Sequence, residues 1–161
     1  MATKKKQDNG IQIADLSELC SKKQQNEGMW FQMATNGVKW DVDVLVYGND
    51  SDIVQEYERE KMKERVKNIN FNNKKNIEID DSTVDEVFAE AVDSVLIRIG
   101  GIRKHSTQEA LNFNGNVLPI EKNDSSEALY RALLEGSPDI SDFVLAKSKE
   151  REDFLAYRKK N

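Results

Sequence analysis

Hydrophobic and polar positions alternate where Val38, Trp40, Val42, Val44 and Val46 are separated by Lys39, Asp41 and Asp43. A period of two sends successive side chains to opposite faces of a strand. Trp40 and the four valines are therefore expected on a covered face, and the two aspartates in water. The bulky run from Met29 to Thr35 comes before it, and Asn36-Gly37 stands between the two. Asn-Gly supplies the positive φ angles of a type I′ turn, so the pair of runs predicts an antiparallel β-hairpin.

Beyond this the period lengthens. Gly48-Asn49-Asp50-Ser51 breaks the strand, and Ser51 can cap a helix reaching about Asn68, with Ile53, Val54, Tyr57, Met62, Val66 and Ile69 as apolar positions. Glu56 with Arg59, Glu60 with Lys63 and Glu64 with Lys67 give its other face a ladder of i,i+3 pairs. Each is worth only a few tenths of a kcal/mol, the mark of a solvated surface. Asn70 to Asp81 is rich in asparagine and reads as a loop with a short extended piece, anchored by Phe71, Ile77 and Ile79. Thr83 to Glu86 makes a capping box, and Val84, Val87, Phe88, Ala91, Val92, Val95, Leu96 and Ile99 follow at 3,4 spacing. This predicts the central helix of the core, ended by Gly100-Gly101.

Phe113-Asn114-Gly115-Asn116-Val117-Leu118-Pro119 predicts a second tight turn between two short extended pieces. Asp124 can cap a helix to about Glu135 that buries Ala128, Leu129, Ala132 and Leu133, with Gly136 closing it. Ser137-Pro138-Asp139 combines a capping serine, a proline at the first helical position and an acid in the first turn. A last helix is expected from there to the chain end, its stripe of Ile140, Phe143, Val144, Phe154 and Leu155 interrupted by Lys147 and Arg151. The fold class is α+β, mostly helical, with an N-terminal antiparallel β-hairpin or small sheet packed on helices.

At 161 residues there is room for one domain, and a composition 38% hydrophobic and 33% charged is too apolar for full disorder. Residues 1–10 are expected to be a flexible N-terminal arm, 11–157 a single α+β domain and 158–161 a basic C-terminal tail. Ile11, Ile13, Leu16 and Leu19 can dock as a strand or helical turn, while residues 21–27 are polar, with little to offset the entropy of ordering. The net charge is −5 with the two signs interleaved, so no broad positive surface is offered and no nucleic acid is expected as the main partner. Cys20 is the only cysteine and no apolar run approaches the roughly 20 residues that span a bilayer. No secretory h-region follows Lys4-Lys5-Lys6. These features predict a reducing cytoplasm and no membrane.

Chemistry is sparse. Catalysis by nucleophile or by acid and base needs grouped His, Cys, Lys or carboxylates, and the single His105 and single Cys20 lie in no motif. His105 is expected at the surface and Cys20 as a buried or bystander thiol. Asp41 and Asp43 share a strand face but lack the loop of oxygen ligands a hard cation requires. Gly100-Gly101 lacks the third glycine and the preceding strand of a dinucleotide site. The expectation is a non-enzyme without cofactor or metal. The candidate partner-binding residues are Phe143, Leu145, Phe154, Leu155 and Tyr157, which exceed what one narrow stripe can bury; the alternative is that they pack on the protein's own core.

The order of segments carries a resemblance. Glu27-Gly28-Met29-Trp30-Phe31 opens a stretch that leads to a strand ending at Tyr47-Gly48-Asn49-Asp50-Ser51 and then to a charged helix. A middle helix is followed by Asn114-Gly115-Asn116-Val117-Leu118-Pro119, by Ser125-Ser126-Glu127-Ala128-Leu129, and finally by Ser137-Pro138-Asp139-Ile140 with Arg151-Glu152-Asp153-Phe154-Leu155. From about Glu27 to Tyr157 this layout resembles the tail assembly chaperone family of long-tailed bacteriophages. The chain departs from it in having Ile99 where the family has tryptophan, and in the insertion-like stretch from Lys104 to Asn112.

The resemblance implies a non-catalytic protein that binds the tape measure protein, keeps it in solution and helps recruit tail tube protein, with self-association as an option. It implies the host cell cytoplasm as location and absence from the mature virion. Two alternatives stand beside it: a structural virion component such as a minor tail or connector subunit, joined through a hairpin edge or the polar arms, and a nucleic-acid-binding accessory resting on Lys4-Lys5-Lys6 and Arg158-Lys159-Lys160 alone.

Overall fold

Asn36 and Gly37 adopt φ angles of 51° and 79°, the positive pair that lets the chain reverse between β1 (Met29–Thr35) and β2 (Val38–Val46). The computed structural model describes residue 10, residues 12–72 and residues 81–155, with side chains for all of these except 68–83. The two strands pair antiparallel from Met29 opposite Val46 to Thr35 opposite Val38, as the alternation predicts. The protein is α+β.

A third strand was hidden in the sequence. The helix expected to run to Ile99 ends at Leu96, and Ile99–Lys104 forms β3, antiparallel to β2 in a sheet of order β1-β2-β3. Gly100-Gly101 is thus no helix terminator but the middle of a strand. Leu45 faces Gly101 and Val46 faces Ile99, leaving Gly100 as the extra residue of a bulge. Glycine is needed because a Cβ at Gly100 would lie 2.7 Å from Leu45 Cδ2, and one at Gly101 2.0 Å from the carbonyl oxygen of Ile120.

The sheet has two unlike faces. Val44, Val46, Ile99 and Ile102 point into the core and meet Val95 and Leu96, Tyr130 and Leu134, and Val144, from α3 (Asp81–Leu96), α4 (Glu127–Gly136) and α5 (Pro138–Lys149) respectively. Val38 and Trp40 were expected under cover as well, yet both are exposed, because they sit at the hairpin tip beyond the helices. The other face holds a second correction: Asp43 is buried rather than in water, since Arg103 on the neighbouring strand β3 and His105 just after it reach its carboxylate.

Helix boundaries and core positions also shift. α2 (Asp52–Asn72) begins after Ser51 as expected, but the Ser51 hydroxyl is buried without a partner among the described residues. Of its expected apolar positions whose side chains are described, only Val54 is buried, while Ile53, Met62 and Val66 are exposed. α3 starts at Asp81, placing Thr83 inside it rather than at its cap, and only its C-terminal part enters the core; Val84, Val87 and Phe88 are exposed. In α4 Tyr130 and Leu134 are buried and the expected Leu129 and Leu133 pack half-buried against the core, while Ala128 and Ala132 are exposed, and Ser126 rather than Asp124 precedes the first turn. Ser137 caps α5 through its hydroxyl, which accepts the Ile140 amide hydrogen, and Pro138 occupies the first turn. α5 stops at Lys149; a separate 3₁₀ turn, Arg151–Phe154, follows it in place of one continuous helix.

The turn at residues 47–51 is where distant parts of the chain meet. Residues 22–27, part of the polar stretch with little to offset the entropy of ordering, form the short α1 (Lys22–Glu27), and its Gln25 is buried. Gln25 Oε1 accepts the Asp50 amide hydrogen at 2.7 Å, and the Gln25 carbonyl accepts that of Gly48 at 3.2 Å. Ser148 lies on the far side, its hydroxyl 2.8 Å from the Tyr47 carbonyl oxygen. Arg98, also buried, donates to Asn49 Oδ1 at 2.9 Å and to Glu58 at 3.2 Å. Leu16–Leu19 forms the helical turn allowed for it, with Leu16 and Leu19 exposed; Cys20 beside it is exposed, which removes the buried alternative and leaves that of a bystander thiol.

The second hairpin is present as β4 (Leu111–Phe113) and β5 (Asn116–Leu118) around Asn114-Gly115, again with positive φ at both turn residues. The chain after it runs along β3, where the Ile102 amide donates to the Ile120 carbonyl at 3.1 Å and the Lys122 amide to that of Gly100 at 2.8 Å. β3 is therefore partly covered on its outer side. No described helix is long and apolar enough to cross a membrane. The loop expected from Asn70 to Asp81 falls mainly on residues outside those described.

Candidate partner-binding groove

The helical layer is open on one side. The described N-terminal turns of α3 are exposed at Val84, Val87 and Phe88, and the α4–α5 corner, with its Ser137 cap and Pro138, lines the same groove as Phe88. The groove has a volume of about 690 Å³. Its floor is apolar, formed by Val92 and Val95 of α3, Leu134 of α4 and Leu145 of α5. Phe88 forms part of its wall and is 69% exposed, an unusual state for a large aromatic ring with an apolar floor beside it. Asp85, Glu135, Ser141 and Asp142 stand around this apolar floor. What it can do is bury another apolar surface.

The candidate residues read from the sequence do not form one patch. Phe154 is fully buried, its ring edge-on to Phe31 with centroids 5.8 Å apart. Phe143 is half-buried near the same cluster, where the Lys147 ammonium lies 5.4 Å from the Phe31 ring centre and 5.8 Å from that of Phe143. Leu145 is two residues on, about 200° around the helix, and among the described candidates it alone reaches the groove. Leu155 is half-buried, and Tyr157 lies outside the described residues. Sequence reasoning missed Phe88 because it sat on a regular core stripe; only the arrangement of α4 and α5 leaves that turn of α3 uncovered.

The other feature with chemistry is polar. His105 Nδ1 lies 2.6 Å from Asp43 Oδ1, and Arg103 Nε donates to Asp43 Oδ2 at 3.3 Å. The Arg103 guanidinium stacks 4.0 Å above the Trp30 ring. Asp41 accepts the Ser106 amide hydrogen at 2.7 Å and the Ser106 hydroxyl at 2.8 Å, and those hydrogen bonds hold its carboxyl below the usual range. The Ser106 hydroxyl is thus committed to Asp41 and not to His105. The cluster fastens the turn after β3 to β2.

No protein-family model, curated protein or solved structure matches the chain.

Proposed function

We infer that the chain works by binding another protein without catalysis, as a bacteriophage tail assembly chaperone that holds the tape measure protein and helps recruit tail tube subunits. The observation that carries the reading is the open apolar groove between α3 and the α4–α5 corner, with Phe88 exposed on its wall. A chaperone has to release its client, which favours a shallow apolar trough with many weak contacts over an enclosed pocket. The link to phage tails comes from the order of segments between Glu27 and Tyr157. In the family the middle helix ends in an aliphatic, tryptophan and glycine cluster; here the corresponding Ile99-Gly100-Gly101 forms a strand after the helix, a departure from that layout.

The reading expects the chain to co-purify with fragments of a tape measure protein expressed beside it and to be missing from finished virions. Mass spectrometry of purified particles checks the second point, and stoichiometric presence there overturns the chaperone role. One observation favours the second reading, a structural virion component. β1 is an edge strand, and among the described residues no backbone group pairs with its outer side, so a neighbouring subunit could add a strand there.

A further inference from the structure

Resting on the groove as the partner's seat, we propose that its occupant is an amphipathic helix whose apolar stripe is flanked by lysine or arginine. The groove is an open trough: Phe88, Ala89 and Ala91 along α3 are exposed, so a ligand can lie lengthwise across it rather than enter a closed cavity. Helix-in-groove recognition suits that shape, with residues at i, i+3, i+4 and i+7 reaching the floor. The charges on its margins have one sign. Asp85 of α3, Glu135 of α4 and Asp142 of α5 stand around the apolar floor, all exposed, and no lysine or arginine occurs among the described residues that line it. An acidic margin on three sides disfavours an acidic helix by like-charge repulsion and favours a basic one. It also makes association sensitive to salt. The chain's net charge of −5 acts in the same direction at longer range.

The test uses the full chain and two fluorescent peptides of about 18 residues, long enough for five helical turns. They share one leucine and alanine stripe, flanked by lysines in one and by glutamates in the other, and binding is read by fluorescence polarisation. The lysine peptide is expected to bind at least about tenfold tighter and to weaken as salt is raised. Phe88→Ala should weaken it further, and Asp85→Lys with Asp142→Lys should turn the preference toward the glutamate peptide. All three positions are exposed, and an unchanged melting temperature verifies that the variants fold. Equal binding of the two peptides, no binding of either, or indifference to Phe88→Ala overturns the proposal. So does a dimer that Phe88→Ala dissolves, since a second copy would then fill the groove. Failure here is distinct from failure of the chaperone reading: tape measure fragments could still co-purify with groove variants, and basic peptides could still bind if those fragments do not.

Discussion

The phenol oxygen of Tyr130, on α4, accepts the amide hydrogen of Ile102, on β3, at 3.1 Å and gives its own hydrogen to the carbonyl of Pro119 at 2.6 Å. One fully buried side chain thereby ties helix, strand and connecting segment together. Tyr130→Phe keeps the ring but leaves the Pro119 carbonyl short of a donor. The Ile102 amide retains the Ile120 carbonyl at 3.1 Å, so the loss should be about 1 kcal/mol, measured by urea unfolding.

The same residue sets an alkaline limit. Burial pushes the Tyr130 phenol from 10.0 up to about 12. The folded state then keeps a proton that the unfolded chain gives up. The associated stability is present below pH 10.0 and is lost as pH rises toward about 12. Stability measured across that window should fall more gently in Tyr130→Phe than in the parent chain.

Asp50 sets a weaker acid limit. The hydrogen bond from Arg151, aided by Gln25, holds its carboxyl below 3.8 in the folded chain. A lowered acid contributes stability that is present above 3.8 and disappears as pH falls through the folded value. Arg151 is mostly in water, so the slope should be shallow. Asp50→Asn should flatten that part of a denaturation series carried from neutral pH into acid.

Two glycines should respond oppositely to alanine. At Gly101 the new methyl would sit 2.0 Å from a backbone oxygen that cannot swing aside, so Gly101→Ala should lose several kcal/mol or fail to fold. At Gly136, the last residue of α4, nothing lies within 4 Å. Gly136→Ala should add about 0.5–1 kcal/mol by reducing the freedom of the unfolded chain. Thermal melting of the two variants checks both signs.

Phe154 and Phe88 differ in the same way. Phe154→Ala empties a fully buried site against Phe31 and should cost about 3–5 kcal/mol. Phe88→Ala, at a ring 69% exposed, should leave stability within about 0.5 kcal/mol. A binding defect in the first variant would therefore report unfolding, whereas one in the second would report the groove.

Local signals made much of this fold legible. Asn36-Gly37 and Asn114-Gly115 placed both hairpins because the turn requires positive φ at adjacent residues, and Ser137-Pro138 placed the start of α5. β3 was not legible, since Ile99-Gly100-Gly101 continues a helical stripe and its glycines look like a stop; their cause is the approach of Leu45, Tyr47 and Ile120, which are far away in sequence. The burial of Asp43 likewise depends on Arg103 and His105, some 60 residues later. The groove was legible only through Leu145. Periodicity identifies an apolar stripe, but the neighbours decide which of its turns stay bare.

The turn at residues 47–51 also imposes a schedule. Arg151 donates to Asp50 across 101 positions, and Ser148 reaches Asn49 across 99. At about 5–20 residues per second of synthesis, roughly 5–20 s separate the appearance of these partners. For that interval the nascent chain carries β1, β2 and α2 without Val144 and Phe154, which belong to the interior of the finished molecule. Completion of the fold is thus a late event in translation, and a ribosome stalled before residue 148 would hold a chain whose first half lacks its fastening.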